Sequence, residues 1–472
     1  MTGDAGDVTT NVKGGYTGFR TIAVMSSESN RSSGAERQRA ALRYRSRALR
    51  GQTRQPWTER AIRVVLAFGL PGTAWIVSNG NDHFRLPKEL VFRGEAIVLL
   101  MLAVFWWTSR PRTWRLSFRP ELALAFAVVA WGLVTTWSST NRLLSEDSMI
   151  TIAAGAVIFI VTCIALQTES MLLIDSLMLA ACCNAILAIV QELKIWTPFR
   201  GAEVSTHMGT VGLLGNPNDV GTYLSGAALV AFAVAVNSRR TRRWVYASIA
   251  LLLIVGIIAS ATKTAVIALA AALLVFGALH SRRAAIGVAA LLAALAIAVA
   301  IPSTRLGYGV RTIVRALRLH DYPALSSERL VPFLTAVEMA RTHPLTGVGP
   351  GCFKFHFMSY RLALEGKYPS SWTKGYPMNW GEVHNDHLQV AAESGAPGYL
   401  LFLAAIGLIA GLRRRSEPRT PQTMLARSMR WPFAVLIFVL CLAQFPLELA
   451  AARLMLLTIA AVCVTWDRHD DH

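Results

Sequence analysis

The chain has 472 residues, of which 53% are hydrophobic and only 16% charged, too apolar a balance for a soluble globular protein and one that suits helices buried in lipid. Its formal net charge of +19 brings no readable nucleic-acid-binding motif on a basic surface, so nucleic acid is excluded as a partner. The arginines sit instead in short breaks between apolar runs, the pattern by which membrane proteins retain Lys and Arg on the cytoplasmic side.

Residues 1–60 are polar and rich in arginine, with Arg37, Arg39, Arg43, Arg45, Arg47 and Arg50. They read as a disordered cytoplasmic tail that can touch anionic headgroups, and no secretory signal is expected before the first span. A hydrocarbon core of about 30 Å needs roughly 20 apolar residues per helix. Spans are therefore expected at 61–79, 91–107, 121–138, 149–166, 171–190, 218–236, 244–261, 264–280 and 284–301, and again at 396–412, 431–447 and 450–466, about twelve in all. The predicted organisation is nine transmembrane helices over 61–301, a long segment over 302–395, three more helices over 396–466 and a short tail at 467–472.

With the amino terminus inside, the internal breaks hold sixteen Lys or Arg and the short external ones hold six. That bias predicts cytoplasmic termini and puts 302–395 outside, where chemistry is to be sought. Five of the six cysteines, Cys163, Cys182, Cys183, Cys441 and Cys463, fall in predicted spans and only Cys352 in the long segment, so no disulfide framework is expected.

Within 302–395, Arg311, Arg315 and Arg318 recur at i, i+4 and i+7, giving a short helix one basic face suited to lipid headgroups. A second helix is predicted from a Ser326-Ser327 cap, with Leu330, Phe333, Leu334 and Val337 at helical spacing, ending at His343-Pro344. Gly347, Gly349, Pro350 and Gly351 then force a turn. Trp372, Tyr376 and Trp380 follow, as sugar-stacking platforms or as an interfacial aromatic belt.

Ionisable groups at the outer ends of spans are functional suspects. Lys263, at the start of the eighth helix, would favour an anion there together with the positive helix end, or would snorkel to the interface. Asn216 caps a helix whose first residue is Pro217, with Asn218 next, and brings a second helix end to the same face. His384-Asn385-Asp386-His387 opens a third. These helix ends, with Lys263, Arg329 and Arg341, would form a receptor for a diphosphate. A histidine beside them could take a proton from an attacking hydroxyl, His384 first and His387 second. Glu382 or Glu393 could orient it. Two readings compete: the tetrad binds a divalent metal, although its spacing makes that awkward, or Asn385 and Asp386 merely cap the helix.

Together, Gly215-Asn216-Pro217-Asn218, a basic residue after Ser260, Arg329, Gly347-Val348-Gly349-Pro350-Gly351-Cys352-Phe353, and His384-Asn385-Asp386-His387-Leu388-Gln389 through Glu393-Ser394-Gly395-Ala396-Pro397-Gly398 resemble the O-antigen ligase and polymerase family of bacterial envelope enzymes. The resemblance covers roughly residues 150–412. It implies an all-α, GT-C-like integral protein of the bacterial inner membrane with a periplasmic loop between helices 9 and 10. It implies transfer of a glycan from an undecaprenyl diphosphate carrier to a glycolipid or glycan acceptor, with inversion, no cofactor and no metal. The family histidine falls on His384, and its diphosphate-binding basic residues on Lys263 and Arg329. Two departures stand out: Lys263 replaces the arginine of many members, which keeps charge but loses the bidentate fork, and His387 occupies a position where an aromatic is common. Ligase and polymerase differ only in acceptor. A polysaccharide transporter is the competing class and predicts ionisable residues near the bilayer midplane in two matching halves.

Overall fold

The computed structural model describes residues 57–78, 82–109, 119–166, 171–199, 209–301, 305–369, 372, 379–411 and 420–466. The expected basic tail before residue 57, the arginine breaks at 110–118 and 412–419, the turn at 167–170, Tyr376 and the tail after 466 lie outside these residues.

Among the described residues every regular element is helical. In chain order these are α1 (Trp57–Trp75), α2 (Arg85–Thr108), α3 (Pro120–Trp137), α4 (Arg142–Ala165), α5 (Leu172–Glu192), α6 (Pro217–Asn237), α7 (Arg240–Ser260), α8 (Lys263–Leu279) and α9 (Arg282–Ala300). After them come α10 (Arg305–Leu319), α11 (Tyr322–Leu325), α12 (Leu330–Thr342), α13 (Phe353–Glu365), α14 (Asp386–Ala410), α15 (Pro421–Cys441) and α16 (Ala450–Thr465), with a 3-10 turn at Pro446–Glu448. Eight of them, α2 to α7, α14 and α15, are long and apolar enough to cross a bilayer. The protein is an all-α membrane protein. Three further apolar helices, α8, the Ala284–Ile297 part of α9, and α16, are shorter, and α1 carries Glu59, Arg60 and Arg63 in its opening turns. Length and hydropathy thus identify fewer crossings than the twelve expected.

Helix α6 forms the centre. Asn216 accepts from the Asn218 amide at 2.8 Å and Pro217 occupies the first helical position, as the sequence predicts. Nearly the whole of α6 is buried, and α5, α7, α8, α15 and α16 pack around it. The outer helices turn large apolar side chains outward, among them Leu100, Met101 and Phe105 on α2 and Phe126 and Leu133 on α3, the faces that acyl chains cover in a membrane.

Three expected boundaries move. The tenth span, predicted from 396, is the second half of α14. Gly395, at φ +66° and ψ −173°, breaks the helix internally, and Pro397 follows. A Cβ on Gly395 would lie 2.1 Å from the Leu345 carbonyl oxygen, so only glycine permits this approach. The eleventh, predicted at 431–447, runs Pro421–Cys441: Thr420 caps it by accepting from the Thr423 amide at 3.2 Å. Its polar opening hides the helix from hydropathy, yet Arg430 there donates to the carbonyls of Leu408 and Ile409 and closes the end of α14. The helix predicted from Ser326-Ser327 starts at Leu330, because Ser327 and Glu328 take left-handed backbone and end α11 first.

Segment 330–392 has its own small apolar core of Val331, Ala336, Met339, Val348, Phe353 and Phe357 with Val383 and Ala392. The amides of Val348 and Gly349 donate to the carbonyls of Ala392 and Glu393 at 2.9 and 3.0 Å, fastening the glycine-rich turn to the first half of α14.

Candidate active site

The site grows from the start of α14. Asn385 is its cap: Oδ1 accepts from the Leu388 amide at 3.0 Å, and Nδ2 donates to the Leu442 carbonyl at 2.8 Å. Buried Asp386 accepts from the Leu447 amide at 3.1 Å. These two side chains therefore bolt the helix start to the 442–449 connection. His387 uses both ring nitrogens, Nδ1 with the Tyr399 hydroxyl at 3.2 Å and Nε2 with the Phe438 carbonyl at 3.1 Å, inside a cage that includes Phe402. Glu393, expected as a partner for histidine, instead accepts from the amides of Gly351 and Phe353 at 2.9 and 3.0 Å and caps α13. The four side chains of the tetrad go to different places and do not converge on one point.

His384 alone turns away. It stands at φ +59°, a conformation uncommon for any residue but glycine. Trp380 meets its ring edge-to-face with centroids 5.2 Å apart, and Phe445 does so at 4.4 Å. Its buried Nδ1 has no hydrogen-bond partner among the described residues. Burial, with the guanidiniums of Arg329 and Arg85 nearby, drives its pKa from 6.5 down to about 3, so the empty site holds neutral imidazole.

Arg329 precedes α12 and donates through Nη1 to the Ala443 carbonyl at 2.8 Å. Burial holds its pKa below the ordinary value, against the pull of Asp219. Lys263 opens α8 after a left-handed Ala261 and lies within electrostatic reach of Arg329. Among the described residues neither cation has a carboxylate at ion-pair distance. Two such cations side by side repel each other, and a polyanion between them would remove that cost.

Sequence reasoning missed three members. Arg85 and Lys88, in the first turn of α2, were counted there only as loop charges, although charges inside an apolar 24-residue helix are themselves a signal. Asp219, buried in the first turn of α6 with Oδ1 unpartnered among the described residues, interacts with Arg85, Lys88, Arg329 and Glu382. Glu382 pairs with Arg85 and gives this anchor, not His384, its charge. Glu448, just before α16, is a further carboxyl in the cavity wall. Desolvation raises its pKa, against the effect of Arg453. Asn216 and Asn218 serve the start of α6 and so place Asp219. Arg341 lies apart: it sits at the far end of α12, its side chain 66% exposed and 3.9 Å from Glu338. Trp372 packs on Tyr322 and Tyr368, away from Trp380.

A cavity of about 690 Å³ opens beside this group, between α2, α3, α4, α14 and α16. Its wall combines charged residues, among them Arg85, Lys88, Asp219, Glu382 and Glu448, with a large apolar surface that includes Leu401, Ile406, Ile437, Leu456 and Val464. Its remaining charges are mostly paired, Arg453 and Arg93 with Glu89 and Arg93 also with Asp147.

Residues 248–403 match the family model described as O-antigen ligase. Over that segment the chain is similar to the O-antigen ligase family. Comparison with curated proteins gave no match. The O-antigen ligase segment contains Lys263, Arg329, His384 and the glycine turn, whereas Arg85, Lys88 and Asp219 come from helices before it. The match points this segment toward ligase- or polymerase-type chemistry, and His384 stands within charge reach of Arg329 and Arg85, the second of which is also in the cavity wall.

Proposed function

We propose that this protein transfers a glycan from an undecaprenyl diphosphate carrier to an acceptor hydroxyl, lipid A core or a similar glycolipid, at the periplasmic face of a bacterial inner membrane. In this reading the chain crosses the membrane twelve times with both termini cytoplasmic and 302–395 periplasmic. The observation that carries it is the cavity, whose wall joins the basic Arg85 and Lys88 to a large apolar surface, the pairing that a diphosphate on a polyprenyl tail requires. Lys263, Arg329 and Arg85 hold the diphosphate and stabilise the charge that develops on it as it leaves. The acceptor oxygen bonds to the anomeric carbon, the bond from that carbon to the phosphate oxygen breaks, and the configuration inverts. His384 takes the acceptor proton. The leaving group departs as undecaprenyl diphosphate.

The low basicity of His384 in the empty site belongs to this mechanism. Its neighbours Arg329 and Arg85 oppose protonation, and a bound diphosphate neutralises them. Donor binding therefore raises the imidazole toward the range in which it accepts a proton at neutral pH. The fixed cations do the work of charge stabilisation, so the reaction runs without a metal. With purified protein and a defined lipid-diphosphate donor, His384→Ala is expected to lose transfer; a normal rate refutes the mechanism. Glycan analysis of a deletion strain distinguishes attachment to lipid A core from chain polymerisation.

A further inference from the structure

Helix α10 lies outside the machinery just described, yet apolar and basic residues are sharply divided around it. At 100° per residue, Leu317 and Val314 lie side by side and Arg318, Arg311 and Arg315 follow directly around the helix. All five side chains are exposed; the apolar side is covered near the helix start, where Leu306 and Gly307 are buried, and open further along at Val314 and Leu317. An apolar strip bordered by arginines on an exposed face is the arrangement of a helix lying in a membrane interface, with aliphatic groups among acyl chains and guanidiniums at phosphate level.

Two placements put α10 at that level. It starts five residues beyond the end of the apolar helix α9. Its Gly309 lies against the side chain of Lys263, where an added Cβ would be 3.2 Å from Cδ. Because Lys263 opens α8, α10 lies at a helix end and covers the lysine.

We propose that α10 is a binding surface for anionic phospholipid headgroups, and that their phosphates seat it as a roof over Lys263. The occupant is a lipid surface and not a protein because the three arginines give a row of positive charge with no acidic residue in the helix, and the apolar strip beside them continues the lipid-facing level of α9. The inference rests on the chain being a membrane protein and not on the proposed reaction.

The test uses the full chain in nanodiscs of phosphatidylcholine alone or with phosphatidylglycerol, followed by hydrogen exchange of the amides of 305–319. Anionic lipid should slow exchange in α10 by roughly tenfold or more, and 0.5 M salt, on the order of a strong screening concentration, should reduce the difference. Arg311→Gln/Arg315→Gln/Arg318→Gln should abolish the dependence on lipid charge. Protection of buried α6 in the same samples reports whether the variant is folded; if it is not, Arg315→Gln alone should still weaken the dependence. Equal exchange of the native chain in the two bilayers overturns the proposal, as does protection that depends on protein concentration and not on lipid charge, which would mean a second copy covers the face. Neither result bears on whether the site transfers glycan.

Discussion

Arg85 and Glu382 are 297 residues apart in sequence and close an ion pair of 2.5 Å in the wall of the cavity. The same guanidinium lies 5.4 Å above the Phe445 ring, which in turn packs on His384. Arg85 thus reaches the proposed base through one aromatic ring and reaches Asp219 through charge. Arg85→Gln should lower transfer from a lipid-diphosphate donor by on the order of a hundredfold. Glu382→Gln, which leaves the cation in place, should change it far less. Initial rates of the two purified variants check this, and equal losses would make the pair merely structural.

Protonation of His384 should differ between the free and donor-bound protein. Its pKa of about 3 in the empty site places the acid limb of kcat/KM well below neutrality, since that parameter reports the free enzyme. Once diphosphate neutralises Arg329 and Arg85, the limb of kcat should lie at higher pH. Rate profiles measured from acid to neutral pH check the order of the two limbs; coincident limbs would mean that the cations do not control the imidazole.

The same shift has a stability consequence. As pH falls below the ordinary value of 6.5, an unfolded chain takes up this proton while the folded protein does not until about 3, so folding stability drops through that window. His384→Gln should remove this part of the acid destabilisation, seen in melting temperatures in detergent. At pH 7.5, on the order of one unit above the window, His384→Gly should melt above His384→Ala, because glycine takes φ +59° without strain.

Lys263 has no carboxylate partner among the described residues, and its side chain lies against Gly309. Lys263→Arg keeps the charge and should preserve donor binding within a fewfold. Lys263→Gln should raise KM for the donor about tenfold and reduce the dependence of binding on salt. Titration of donor at two salt concentrations reads both.

How far the sequence discloses this site depends on distance along the chain. The Asn216-Pro217 start of α6 and the Asn385 cap of α14 are local features, and both stand where the residues predict them. In the tetrad, capping and exposure to the site are divided: Asn385 and Asp386 hold the helix, His387 is tied at both nitrogens, and His384 faces the cations. Arg85 and Asp219 are 299 and 165 residues from His384 in sequence and stand in the first turns of two other helices, α2 and α6, and no spacing rule brings them together. Arg341 fails for the opposite reason. It is twelve residues after Arg329 on a straight helix, which is about 18 Å of rise away from it.

Glu393 joins three elements, because its two carboxyl oxygens receive amides from the glycine turn and from the first turn of α13. Glu393→Gln leaves one amide facing a donor and should destabilise the fold by about 1–3 kcal/mol. Exposed Glu365→Gln on α13 is the control and should be near neutral. Thermal melts of both in detergent decide it.

The break at Gly395 gives α14 two duties. Its first nine residues are anchored by Asn385, Asp386 and the turn at Val348 and Gly349, while the stretch beyond the break is an apolar rod that lines the cavity with Leu401 and Ile406 and turns Leu400 outward. A change in bilayer thickness tilts such rods at small cost. With the joint at Gly395 such a tilt bends α14 at the break, and the 3.2 Å contact of His387 with Tyr399 across it is the link by which the membrane-crossing half still reaches the tetrad.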